Sequence, residues 1–136
     1  MKTLSFSRLY PLLAGLIFAM VTSSIATATT PSLIKNADGS SVEIKSDGTK
    51  IITNADGSSV KISPDGAKLI TNADGSSVLT KPDGTEIVTN VDKSSVETHP
   101  DGSTLVTNAD GSSVLTKPDG TQIITNADGS VVQKGP

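Results

Sequence analysis

From residue 36 onward, polar and apolar positions recur every nine residues. All eleven aspartates of the chain keep that spacing: Asp38, Asp47, Asp56, Asp65, Asp74, Asp83, Asp92, Asp101, Asp110, Asp119 and Asp128. Ten are followed by Gly, the exception being Asp92-Lys93. Three residues beyond each Gly position stands a branched aliphatic: Val42, Ile51, Val60, Leu69, Val78, Ile87, Val96, Leu105, Val114, Ile123 and Val132. Self-similarity at a short fixed period marks a repeat architecture. No linker interrupts the array, so residues 29–136 are expected to form one domain.

Asn-Ala-Asp-Gly and Lys-Pro-Asp-Gly both fit a type I turn closed by a Gly in the left-handed region, the turn that carries a one-residue bulge. The five or six residues between turns are rich in Ser, Thr, Val and Ile, the composition of strands. Short strands joined by tight turns predict an all-β fold, a single-layer antiparallel meander of about eleven or twelve strands, some 50 Å long. A second period of eighteen residues overlies the first, alternating N-A-D-G-S-S-V units, as at Asn36, Asn54 and Asn72, with P-D-G-T units, as at Pro82 and Pro118. The bulged turn accounts for it. Its extra residue pairs the recurrent aliphatic of one strand with the next position of its neighbour, so the two positions exchange faces at every turn.

One face is then expected to collect Val42, Ile52, Val60, Ile70, Val78, Val88, Val96, Val106, Val114, Ile124 and Val132, all β-branched, as a candidate interaction face. The other collects Glu43, Ile51, Lys61, Leu69, Leu79, Ile87, Glu97, Leu105, Leu115, Ile123 and Gln133, a wetter stripe. The alternative architecture is a β-solenoid with eighteen residues per coil, stacking Asp on Asp in parallel ladders and offering a calcium-binding β-roll as the alternative function. The calcium-binding toxin repeat has the same nine-residue unit. Its signature, G-G-x-G-x-D-x-U-x, sets glycines before the Asp, whereas here Gly follows it.

The N-terminus adds a compartment. Lys2 and Arg8 precede an apolar run from Leu9 to Val21 and the triplet Ala26-Thr27-Ala28, the pattern of a secretory signal peptide over residues 1–28, with cleavage after Ala28. The run is broken by Pro11 and is shorter than a bilayer crossing requires. The chain is therefore expected in the periplasm or outside the cell, with no membrane association after cleavage. Removal of the leader leaves nine basic against fourteen acidic residues, a formal charge of −5, which disfavours nucleic acid as a partner. It also removes Phe6, Tyr10 and Phe18, and the chain has no Cys and no Trp, so neither disulfides nor aromatic packing hold the remainder together.

Candidate chemistry is sparse. The aspartates invite calcium, but in a meander those at one end of the sheet lie two strands apart, roughly 9 to 10 Å, too far to share an ion. They read instead as turn-forming Asx residues. His99, the one histidine, has neither a second His nor a Cys to complete a metal set, and the serines have no base beside them. Thr53, Thr71, Thr80, Thr89, Thr98, Thr107, Thr116 and Thr125 share one repeat position, which strand propensity explains. No catalytic residue, metal ligand or cofactor is expected, and the partner is expected to be a protein, a peptide or a second copy of the chain. At Asn90-Val91-Asp92-Lys93, Lys stands where the turn needs a positive φ, at a cost of about 1 kcal/mol.

The P-D-G runs at Pro64, Pro82 and Pro118, with P-D-G-S at Pro100 and N-A-D-G-S between them, resemble the C-terminal G-box of the T-complex-protein-ten family of centriole-assembly scaffolds. The resemblance covers nearly all of residues 29–136. It implies a single-layer antiparallel sheet exposed on both faces and a protein-interaction role, the family's sheets binding proline-rich segments. Family members commonly carry an aromatic before the P-D-G turn. Here that slot holds Lys, Ser or His.

Overall fold

The computed structural model describes residues 30–136; the expected signal peptide, residues 1–28, lies outside them. Twelve four-residue strands follow in order: β1 (Ser32–Lys35), β2 (Ser41–Ile44), β3 (Lys50–Thr53), β4 (Ser59–Ile62), β5 (Lys68–Thr71), β6 (Ser77–Thr80), β7 (Glu86–Thr89), β8 (Ser95–Thr98), β9 (Thr104–Thr107), β10 (Ser113–Thr116), β11 (Gln122–Thr125) and β12 (Val131–Lys134). Each pairs antiparallel with the next, giving one open sheet in the order β1 to β12. This is the meander, not the solenoid. Neighbouring strands run in opposite directions, so turns that follow one another lie at opposite ends of the strands and no aspartate stacks on the next.

The turns set this topology. Asn36 N–H donates to the Ser40 carbonyl at 2.9 Å and Gly39 N–H to the Asn36 carbonyl at 3.1 Å, a pattern that recurs along the array. The turn glycines have φ between 84° and 91°, a region that costs an L-residue energy because its Cβ approaches the following carbonyl. Lys93 completes the same turn with φ 71° and a 3.0 Å bond to the Asn90 carbonyl. Lys93→Gly is expected to raise stability by about 1 kcal/mol, read from the urea midpoint, and an unchanged midpoint would show the strain to be absorbed.

No hydrophobic side chain is fully buried among the described residues. With one layer there is nothing to bury them against, so stability comes from the backbone ladders and the cross-strand pairs. The three buried residues are threonines spaced by thirty-six: Thr49, Thr85 and Thr121. Each follows a Gly at which a Cβ would lie 3.4 to 3.6 Å from the next proline along that edge: Pro64 of the following turn beside Gly48, Pro100 of the following turn beside Gly84, and Pro136, beyond β12, beside Gly120. Gly66 and Gly102 have no such neighbour within 4 Å. Turns on the proline edge therefore close up in pairs, a third period laid over the first two.

Candidate interaction face

The register follows from the turn geometry. Val42 pairs with Ile52, Ile52 with Val60 and Val60 with Ile70. Ile70 pairs with Val78, Val78 with Val88, Val88 with Val96 and Val96 with Val106. Val106, Val114, Ile124 and Val132 complete the row, and Ile34 of β1 extends it at the other end. Ile34 stands eighteen residues before Ile52, at the same place ahead of an N-A-D-G turn, so the eighteen-residue period carried back one unit was the signal that would have found it. Pairs joined through the proline edge, such as Val78 and Val88, fall at the non-hydrogen-bonded sites of the ladder, because Lys81 N–H to the Thr85 carbonyl (2.8 Å) sets the alternation. Their side chains approach most closely there.

A second row shares this face. It includes Ile44, Lys50, Ile62, Lys68, Thr80, Glu86, Thr98 and Thr104, aligned strand by strand. The opposite face carries the wetter stripe, interrupted by Glu43, Lys61, Glu97 and Gln133. Beside it runs a hydroxyl row, Ser41, Thr53, Ser59, Thr71, Ser77 and Thr89 onward to Thr125. The recurrent threonines thus split: Thr53, Thr71, Thr89, Thr107 and Thr125 lie on the wetter face, while Thr80, Thr98 and Thr116 lie beside the aliphatic row.

The proline edge holds a polar cluster that sequence reasoning missed. Glu97 Oε1 accepts from Lys81 Nζ at 3.1 Å and lies 3.7 Å from His99 Nε2, while His99 Nδ1 is 3.5 Å from Thr85 Oγ1. A hydroxyl, an imidazole and a carboxylate in line have the order of a proton relay. Thr85, however, is only 1% exposed, so its hydroxyl does not meet a substrate. The cluster ties a turn to a strand.

Each turn aspartate is already engaged. Asp38 Oδ1 accepts from Ser40 N–H at 2.9 Å and from Ser40 Oγ at 2.7 Å. These bonds favour the ionised form, so the hydroxyl bond first and the backbone bond second hold the carboxyl below its ordinary range. At Asp47, Asp83 and Asp119 the order reverses, with the Thr backbone N–H ahead of its hydroxyl. The described residues contain no group of three His, Cys, Asp or Glu side chains arranged to hold a metal ion.

No protein-family model matches the chain, and no curated protein matches it in sequence. Solved structures do. The G-box domain of the microcephaly protein CPAP, for which a role in centriole elongation is suggested, is similar over 79% of this chain and 71% of its own, with 25% identity and a TM-score of 0.65. The TCP10 domain of Danio rerio CPAP, in complex with a peptide of Danio rerio STIL, aligns over 78% of this chain and 64% of its own, with 20% identity and a TM-score of 0.44. The TCP domain of Drosophila melanogaster SAS-4 (dCPAP), in complex with a proline-rich motif of Ana2 (dSTIL), aligns over 88% and 93%, with 18% identity and a TM-score of 0.36. The CPAP likeness shows the architecture: this sheet is a G-box-type β-meander.

Proposed function

We propose that the chain is an exported structural or protein-interaction module whose Val/Ile face meets a protein or peptide partner or a second copy of itself. The observation that carries this reading is the row from Ile34 to Val132, continuous over every strand and covered by no second layer among the described residues. Its ends are plainly open, with Ile34 60% and Val132 48% exposed. An apolar stripe running the length of a molecule marks an interaction surface. The peptides held by the Danio rerio and Drosophila domains are properties of those domains, and the reading here rests on this chain's own residues. The slots before the P-D-G turns hold Ser63, Lys81, His99 and Lys117. Without rings to grip a proline-rich helix, the β-branched row is the better contact. The leader over residues 1–28 supports export to the periplasm or beyond.

Adjacent positions on one strand separate the two faces. A photo-crosslinker at Val88, tested in cells that export the chain, is expected to give a discrete protein adduct, and one at Thr89 none. Adducts from both positions, or from neither, would remove the face reading. The same material is expected to begin at Thr29, and a product retaining residues 1–28 would remove export.

A further inference from the structure

We propose that the Val/Ile face is closed by a second copy of this chain, in a two-fold dimer centred on β6. This rests on the reading that the Val/Ile face is the contact. The aliphatic row alone tolerates any alignment, since every position in it is Val or Ile. The neighbouring row does not. Lys68 on β5 and Glu86 on β7 flank Thr80 on β6, all three in register on that face. Within one sheet they stand two strands apart, with backbones roughly 10 Å from each other, and they do not pair there. Neither has an ion pair among the described residues.

A two-fold axis lying along β6 keeps position along the strands and reverses strand order, so β5 of one copy faces β7 of the other. Lys68 then lies opposite Glu86 of the second copy, and Glu86 opposite its Lys68, while Thr80 meets Thr80 and Val78 meets Val78. An axis on β5 instead lays Lys68 on Lys68, and one on β7 lays Glu86 on Glu86; like charges brought together select against both. The contact is self-complementary, as an isologous interface requires.

Its size is adequate. Eleven strands overlap, β1 facing β11, and strands of four residues at a spacing of about 4.8 Å give a footprint of roughly 700 Å² a side, close to the ~800 Å² a side of stable interfaces. Two sheets of like twist pack face to face with their strands nearly aligned. The other face is less suited. Glu43, Lys61, Glu97 and Gln133 interrupt its apolar row, and Glu97 is committed to Lys81.

The test is the mass of the purified chain by sedimentation equilibrium, with circular dichroism as the check on folding, for the wild type, Lys68→Glu, Glu86→Lys, the double swap and Val78→Glu. A two-chain mass is expected for the wild type. Each single swap is expected to raise the dissociation constant by about tenfold or more, and the double swap to restore it. A dimer indifferent to the charge swaps but lost in Val78→Glu would overturn the β6-centred arrangement and leave the face reading standing. A dimer that also survives Val78→Glu would overturn both. A wild-type chain that stays single would overturn self-docking, and an adduct to another protein from Val88 would then preserve the face reading.

Discussion

Urea unfolding of this protein is expected to be nearly independent of pH between about 5 and 7 and to weaken steeply below about pH 4. Ten turn aspartates have carboxyls held below the ordinary value of 3.8. In seven the Ser hydroxyl bond is the larger cause and the backbone N–H bond the second; in Asp47, Asp83 and Asp119 the Thr backbone bond comes first. A folded-state pKa below the unfolded one means that the unfolded chain takes up protons first as pH falls. The stabilisation is therefore complete above the ordinary value and is lost as pH drops toward the folded value. Each carboxyl is exposed, so each contributes little alone, but the same bond is broken at turn after turn. Added salt separates this local effect from net-charge repulsion, because it screens the second and leaves the hydrogen bonds. A midpoint of the β circular-dichroism signal that stays flat to about pH 2.5 would show that the Asx bonds do not hold the turns.

Those bonds were legible because they are local. Asn36, Asp38 and Gly39 lie within one turn, and their order fixes the residue count between strands, hence the exchange of faces that pairs Val42 with Ile52. The same rule also divides the threonine column, placing Thr71 and Thr80 on opposite faces although they occupy the same repeat position. The pairing of turns along the proline edge was not legible. Whether Pro100 approaches Gly84 while Pro118 stays clear of Gly102 depends on how turns eighteen residues apart lean on one another, which no short-range preference sets. Its trace in the sequence is the alternation Thr49, Ala67, Thr85, Ser103, Thr121 after the turn glycines. The contact of Glu97 with Lys81, sixteen residues apart, is hidden for the same reason.

Leu79→Pro is expected to divide the sheet. Among the described residues every contact between elements joins strands adjacent in sequence, so they form a one-dimensional array with no second layer to bridge a break. Counting inward from the Lys81 bond places Leu79 and Ile87 as a hydrogen-bonded pair, and Pro at 79 removes that ladder bond inside a central strand. On β1 the Asn36 bond sets the opposite parity and turns the Leu33 N–H toward the open edge, so Leu33→Pro removes no ladder bond and is expected to cost under about 0.5 kcal/mol. Hydrogen exchange distinguishes the outcomes. With Pro at 79, amide protection in β5, β6 and β7 is expected to fall to the level of the edge strands β1 and β12, while β3 and β10 keep theirs. Loss of protection through all twelve strands would instead mean that the array unfolds as one cooperative unit. Coupling would then have to pass along the sheet through the paired proline-edge turns, since those turns hold Thr49, Thr85 and Thr121, the buried residues among those described.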